Sequence, residues 1–438
     1  MAIVFCFGAQ DMNNALFLRL RLAAKKCILV SGSTLIGTLL IFIICEFGIL
    51  RGVRLILERS PKNSFSQKNP YSDSLSNPDK EYPGLFEEEN AILRANKKYV
   101  PFLVWGYLPH SGKYVNIGLN GLRIVPNSIN REVAIKKSSH TKRLFFFGGS
   151  TMLGQGSPDN KTIPALVCSH LNQETNTCSS ECINFGIGGY VNSQELIELI
   201  GLLSRGDIPD SVIFYDGINE VIAAMQGTPG EHHNLKDIAN IYETHQRLKP
   251  AGVLPNFMQY VWPKVKEYIY SQSNFGRVSK YVRERIFDHE SRTRVSQGWI
   301  TDTKLLESYL DKAAEVYSHN YLIACELAKA YGFRLTFIWQ PSIFEKSQLS
   351  LYEKWQLSNG TIGGISNINY QAPWQYMKKR VLEKLSALNN RTSQCPCQIL
   401  DYSDVFADFK GTIFYRDWQH ANPSGNELIS RRLFADIR

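Results

Sequence analysis

The stretch RLFFFGGSTMLG, Arg143 to Gly154, decides how the chain is read. Arg143-Leu-Phe-Phe-Phe147 is a short apolar run closed by Gly148-Gly149. Such a run, bounded by glycines, carries the signature of a strand buried on both faces. Downstream the pattern alternates. Helical spacing covers about 162–173, a second strand 182–186, helical spacing 193–204, and a third strand runs from Ser211 to Tyr215. A long helical run over 302–331 follows, then the strand Phe333-Arg-Leu-Thr-Phe-Ile-Trp339. A helix over 374–388 and a fifth strand around Gln398–Asp401 complete the alternation. The last helix starts at Pro423, with Asn422 as its cap. Strands alternating with helices predict an α/β fold whose parallel sheet is wrapped on both faces. Ligands of such sheets bind beyond the carboxyl ends of the strands.

Upstream the chain changes character. Of 438 residues, 44% are hydrophobic and 20% charged, which excludes wholesale disorder. The net charge of +9 is uneven, because residues 1–62 hold eight Lys/Arg against three Asp/Glu. This excess flanks Cys27 to Cys45, nineteen positions without a charge, and so points to a membrane and not to nucleic acid. That length crosses a bilayer core of about 30 Å as a helix. We divide the region into a tail (1–26), a transmembrane anchor (27–49), a linker (50–95) and a short β-rich lead-in (96–140). Ser, Asn, Pro and Lys dominate the linker; Pro109-His110-Ser111-Gly112 and Asn120-Gly121 mark turns in the lead-in. Arg19, Arg21, Lys25 and Lys26 precede the span and Arg51, Arg54, Arg59 and Lys62 follow it. The tighter cluster before the span favours a cytoplasmic N-terminus and an extracytoplasmic main domain, periplasmic or extracellular. A cleaved signal peptide and a buried core helix are the alternatives to an anchor; no small-x-small cleavage site follows the run. Residues 141–438 form the main domain. Within it 227–300 breaks the alternation and reads as a helical insertion with Tyr242, Tyr260, Trp262, Tyr268 and Tyr270.

The strand ends carry the unusual residues. The first closes on Gly148-Gly-Ser150, where bare glycines allow a sharp turn and leave the hydroxyl uncovered. It is not a G-x-S-x-G elbow, since Met152 takes the last glycine position. The second closes on Gly186-Ile-Gly-Gly189, whose backbone N–H groups suit an anion. The third closes on Gly217-Ile-Asn219-Glu220, where the Asn219 amide is a candidate oxyanion donor. Asp417-Trp-Gln-His420 puts a carboxylate and an imidazole on one turn, so the carboxylate can hold the tautomer in which Nε2 accepts a proton. Singly, each of these also reads as a tight turn or a cap.

Jointly, the pattern over 142–438 resembles the SGNH (GDSL-type) hydrolase family, in a membrane-anchored member. Ser150 matches the first block's serine, Gly189 the second block's glycine, Asn219 the Gly-x-Asn block, and Asp417 with His420 the Asp-x-x-His block. The sequence departs at Gly-Gly-Ser-Thr, where Gly-Asp-Ser is usual, and at Glu220, where Asp is common. The resemblance implies a flavodoxin-like three-layer sandwich. It also implies a serine esterase with Ser150, His420 and Asp417 as triad and Ser150, Gly189 and Asn219 as oxyanion hole. No metal or other cofactor is expected. The anchor suggests an acylated cell-surface glycan as substrate. A lipid esterase or lysophospholipase, an O-acyltransferase with the same triad, and a non-catalytic binding domain are the other readings. The oligomeric state is left open.

Other candidates are weaker. Glu231-His232-His233 lacks a third spaced metal ligand. Cys395-Pro-Cys397 is not a C-x-x-C redox motif. In an extracytoplasmic domain Cys168, Cys178, Cys182, Cys325, Cys395 and Cys397 would be available for disulfides, in a pairing the spacing leaves open. Asn160, Asn359 and Asn390 stand in glycosylation sequons.

Overall fold

The computed structural model describes residues 78–126, 128, 141–175, 180–231, 273–274, 299–362, 364–389 and 397–438. The main elements are, in chain order, α1 (Leu85–Ala95), β1 (Lys97–Val100), β2 (Val104–Tyr107), β3 (Lys142–Gly148), α2 (Ser150–Leu153), α3 (Ile163–Thr175) and β4 (Ser180–Asn184). There follow α4 (Asn192–Ser204), β5 (Ser211–Asp216), α5 (Ile218–Met225), α6 (Thr303–Tyr331), β6 (Arg334–Trp339), α7 (Leu351–Asn359), α8 (Gln371–Asn389), β7 (Cys397–Asp401) and α9 (Pro423–Ile437).

Five strands form one parallel sheet in the order β4-β3-β5-β6-β7. Numbered by appearance this is 2-1-3-4-5, the flavodoxin-like doubly wound order. The chain leaves β3 for one side of the sheet and returns to the other, so a crevice opens between the carboxyl ends of β3 and β5. The expected α/β parallel sheet is therefore present.

The sheet's register follows from its aromatics. Phe147, Phe214 and Phe337 are partners across β3, β5 and β6. Their rings stack, 5.1 Å between the first two and 4.6 Å between the last two. A one-residue slip would turn the row to the other face, so the stack fixes pairing as well as burying area. Tyr317 and Tyr321 of α6 meet Phe337 edge-on from this side. On the opposite face α3 packs against α9, where His170 meets Phe434. Helix α6 starts at Asp302, whose side chain accepts from the Leu305 N–H at 2.8 Å, and ends at Gly332 in the left-handed conformation. Asn422 caps α9 through the Gly425 N–H at 2.9 Å, with Pro423 in its first turn.

The linker expected over 50–95 is corrected at its end. Ser, Asn and Pro dominate only as far as Gly84. Beyond it Leu85, Glu89 and Ile92 recur at helical spacing and are buried on one face of α1. In the lead-in β1 and β2 form an antiparallel ribbon. Tyr107, Val115, Ile117 and Tyr190 share a small second core with Leu85 and Ile92. The anchor at 27–49 and most of the insertion at 227–300, including its five aromatics, lie outside the described residues. Among the described residues no helix is long and apolar enough to cross a membrane.

Candidate active site

The crevice between β3 and β5 brings the singled-out residues together. Ser150 opens α2 directly after β3. Its Oγ lies 2.8 Å from His420 Nε2, and His420 Nδ1 lies 2.6 Å from Asp417 Oδ2. The other oxygen, Asp417 Oδ1, accepts the backbone N–H groups of Gln419 and His420 at 2.9 and 2.8 Å. Burial works to raise the Asp417 pKa, but the His420 ring and those two N–H groups outweigh it and hold the carboxyl below its usual range. Asp417 therefore stays ionised well into acid, where it can orient and stabilise an imidazolium.

Asn219 Nδ2 donates to the Tyr190 carbonyl at 2.6 Å, which aims the amide across the crevice. The same nitrogen explains Gly149, because a Cβ there would sit 2.0 Å from it. Gly189 has φ +84°, a left-handed conformation that glycine adopts without strain. Its neighbour Gly188 backs onto the serine: a Cβ built on Gly188 would lie 3.9 Å from the Ser150 Cβ. Thr151 Oγ1 donates to Gln340 Oε1 at 2.8 Å, and the Gln340 N–H donates to the Asp216 carbonyl at 3.1 Å. The Ser150 turn is thereby tied to the ends of β5 and β6.

The His420 loop has a separate support. Lys346 and Glu353 form a fully buried ion pair of 2.5 Å. Glu353 Oε1 also accepts the N–H groups of Ile413 and Phe414 at 2.8 and 3.1 Å. Phe414 in turn bridges Ala421, so the network grips both ends of the segment carrying Asp417 and His420.

Sequence reading missed the lead-in's part in the site. Trp105 Nε1 donates to the Gly188 carbonyl at 3.1 Å, and the Gly188 N–H donates to the Tyr107 hydroxyl at 3.2 Å. The Tyr190 hydroxyl donates to the Trp105 carbonyl. Glu89 of α1 accepts from the Gly156 N–H at 2.7 Å and from Arg416, the residue before Asp417. Arg123 donates to the carbonyls of Leu153 and Gly154, each at 2.9 Å, and to that of Ser157. A guanidinium is well suited to the carbonyl-rich end of α2, since its five donors lie in a fixed fork. These contacts join residues far apart in sequence, and no local pattern announces them.

A cavity of about 490 Å³ lies elsewhere, against edge strand β4, and none of the five singled-out residues lines it. Among the described residues no cluster of His, Cys, Asp or Glu has the make-up of a metal site; His232 and His233 lie outside them. Among the described residues no disulfide joins Cys168, Cys182, Cys325 or Cys397; Cys178 and Cys395 are outside the described residues.

No model of a protein family matches the chain, and no curated protein does. Among solved structures it is similar to a member of the lipolytic protein G-D-S-L family from Veillonella parvula, at 10% identity and a TM-score of 0.34, over 68% of this chain and 98% of that one. It is likewise similar to a catalytic mutant of an acetylxylan esterase from Geobacillus stearothermophilus, at 13% identity and a TM-score of 0.34, over 69% of this chain and 96% of that one.

Proposed function

We propose that the chain is a serine-dependent ester hydrolase working through an acyl-enzyme. The observation that carries this reading is the continuous relay from Ser150 Oγ through His420 to Asp417, at 2.8 and 2.6 Å. In the first step Ser150 Oγ bonds to the ester carbonyl carbon while His420 Nε2 takes its proton. The backbone N–H groups of Ser150 and Gly189 and the Asn219 amide hold the oxyanion that develops. Collapse breaks the bond to the leaving alcohol, which receives the proton from His420. Water then attacks the acyl-enzyme, giving its proton to His420, which passes it to Ser150 Oγ as the bond to the acyl carbon breaks and the carboxylic acid leaves. Every proton is carried by these side chains.

The proposed substrate is an O-acyl group on a cell-surface glycan. The support is the sequence at 27–49 with its basic flanks, read as an anchor that holds the domain on the extracytoplasmic side near an immobile substrate.

The test is hydrolysis of nitrophenyl esters, acetyl to long acyl, by the full-length chain and its Ser150→Ala variant. We expect turnover to peak at acetyl and to fall by roughly 10³-fold or more without the serine. A peak at long chains would replace the glycan with a lipid substrate. Equal rates for both proteins would overturn the esterase reading in favour of a strict acyltransferase or a binding domain.

A further inference from the structure

Glu220 stands at the third position of α5 and reaches back to the Gly217 N–H, 2.9 Å from its Oε2. That much is an ordinary capping interaction. Its other oxygen does something capping does not require. Oε1 accepts the N–H of Asn192 at 2.7 Å, from the separate segment that follows Gly189 and Tyr190. One carboxylate thus clamps two loops, each three residues or fewer from a candidate oxyanion donor. The Asn219 amide closes the same junction from the other side through the Tyr190 carbonyl.

The surroundings make this more than packing. Glu195 of α4 and Asp216 at the end of β5 are buried against it, at 0% and 3% exposure, with Glu220 itself at 3%. Among the described residues none of the three is in an ion pair. Asn192 Nδ2 donates to Asp216 Oδ2 at 3.2 Å. Burial pushes all three carboxyls up. Three backbone N–H groups, those of Asn192, Glu220 and Gly217, pull Glu220 back. Glu195 has no such donor: neither of its buried carboxyl oxygens meets a hydrogen-bond partner. Bare carboxyls gathered without a cation are costly, and a helix start alone does not call for them.

We propose that Glu220 is a positioning residue that locks the Gly189 and Asn219 loops in mutual register and so shapes the oxyanion hole. The catalytic part of this statement rests on the esterase reading above; the locking part does not. Glu220→Gln keeps the size of the side chain and replaces one acceptor oxygen with an NH₂ that faces a backbone N–H. In the full-length variant we expect faster amide exchange over 186–192 and 217–220, with the β3 and β6 cores unchanged. We also expect kcat to fall by roughly 10- to 100-fold, as for a misplaced oxyanion donor, with KM within about twofold. A residue that merely stabilised the fold would raise exchange globally and leave kcat of the folded protein alone. Unchanged exchange in the two loops, or unchanged kcat with Ser150-dependent turnover intact, would overturn the proposal. Lack of Ser150-dependent turnover in the wild type would sink the esterase reading alone, and the exchange measurement would still decide the lock.

Discussion

Two buried glutamates, Glu220 and Glu353, do similar work on opposite sides of the crevice. Each accepts two backbone N–H groups from loops that present the singled-out residues. Their charges are accommodated differently. Glu353 has Lys346 beside it, both side chains fully buried. Glu220 has acids beside it, whose carboxyls burial pushes up, and depends on N–H dipoles. A carboxylate suits either setting because its two oxygens accept from two directions at once. The lesson is that a loop can be held by a buried charge with or without a counterion, but the two solutions respond differently to mutation and to pH.

The largest expected effect tests the side with the counterion. Lys346→Met leaves Glu353 buried without its cation. Removing one partner of a buried pair costs about 3–5 kcal/mol, because the remaining charge is uncompensated. Denaturant unfolding of the variant should show a loss of that order. Adding Glu353→Gln should recover part of it, since the uncharged side chain still offers one acceptor to Ile413 and Phe414. A loss below about 1 kcal/mol would mean that the ion pair is incidental and that the comparison with Glu220 fails.

The acid-rich side should announce itself through pH. Glu198, one turn along α4 from Glu195, is pushed up from 4.5 to about 8, chiefly by burial, with Arg205 opposing. A carboxyl raised in the fold keeps a proton that the unfolded chain gives up above about 4.3. Its contribution to stability is therefore whole below that pH and is lost as pH rises through the folded value. Glu198→Gln cannot lose it. Between pH 5 and pH 9 the wild type should lose more thermal stability than Glu198→Gln, and the difference between the two melting temperatures should change most up to about pH 8. Parallel curves would show that Glu198 is ionised in the folded protein. Asp417 has the opposite sign: its depressed pKa keeps its stabilising pair with His420 in place until the solution is more acid than the ordinary carboxylate range.

How much of this was legible depended on distance along the chain. Ser150, Gly189 and Asn219 stand where a short continuous apolar run gives way to glycine, and such boundaries are visible locally. Asn422 and Pro423 mark the start of α9 for the same reason. Helix α1 is obscured by the polar stretch that runs up to Gly84, although Leu85, Glu89 and Ile92 already carry helical spacing. Glu89, Arg123 and the Lys346–Glu353 network were invisible for a different reason. Their partners are long-range, as with Glu89 and Arg416, 327 positions apart. An isolated Glu or Arg in a sequence reads as a solvated side chain until the fold buries it.

Glu89 offers the smallest and most discriminating test, because it stands outside both glutamate loops and yet touches the site. Its two oxygens join the Gly156 turn behind Ser150 to Arg416 beside Asp417. If the lead-in is only a cover, Glu89→Gln should cost about 1.5 kcal/mol of stability, the lower end for a hydrogen bond to a charged group because Arg416 keeps some exposure, and leave ester turnover unchanged. If it sets the spacing between the serine and the Asp417 turn, some of that energy should reappear as lost turnover. The loss is then bounded at about tenfold, since tenfold corresponds to 1.4 kcal/mol. A drop of severalfold in kcat with KM unchanged would place the lead-in among the parts that hold the reacting groups. Unchanged kcat would confine that task to Glu220 and Glu353, and the contrast between those two would then describe the whole support of the site.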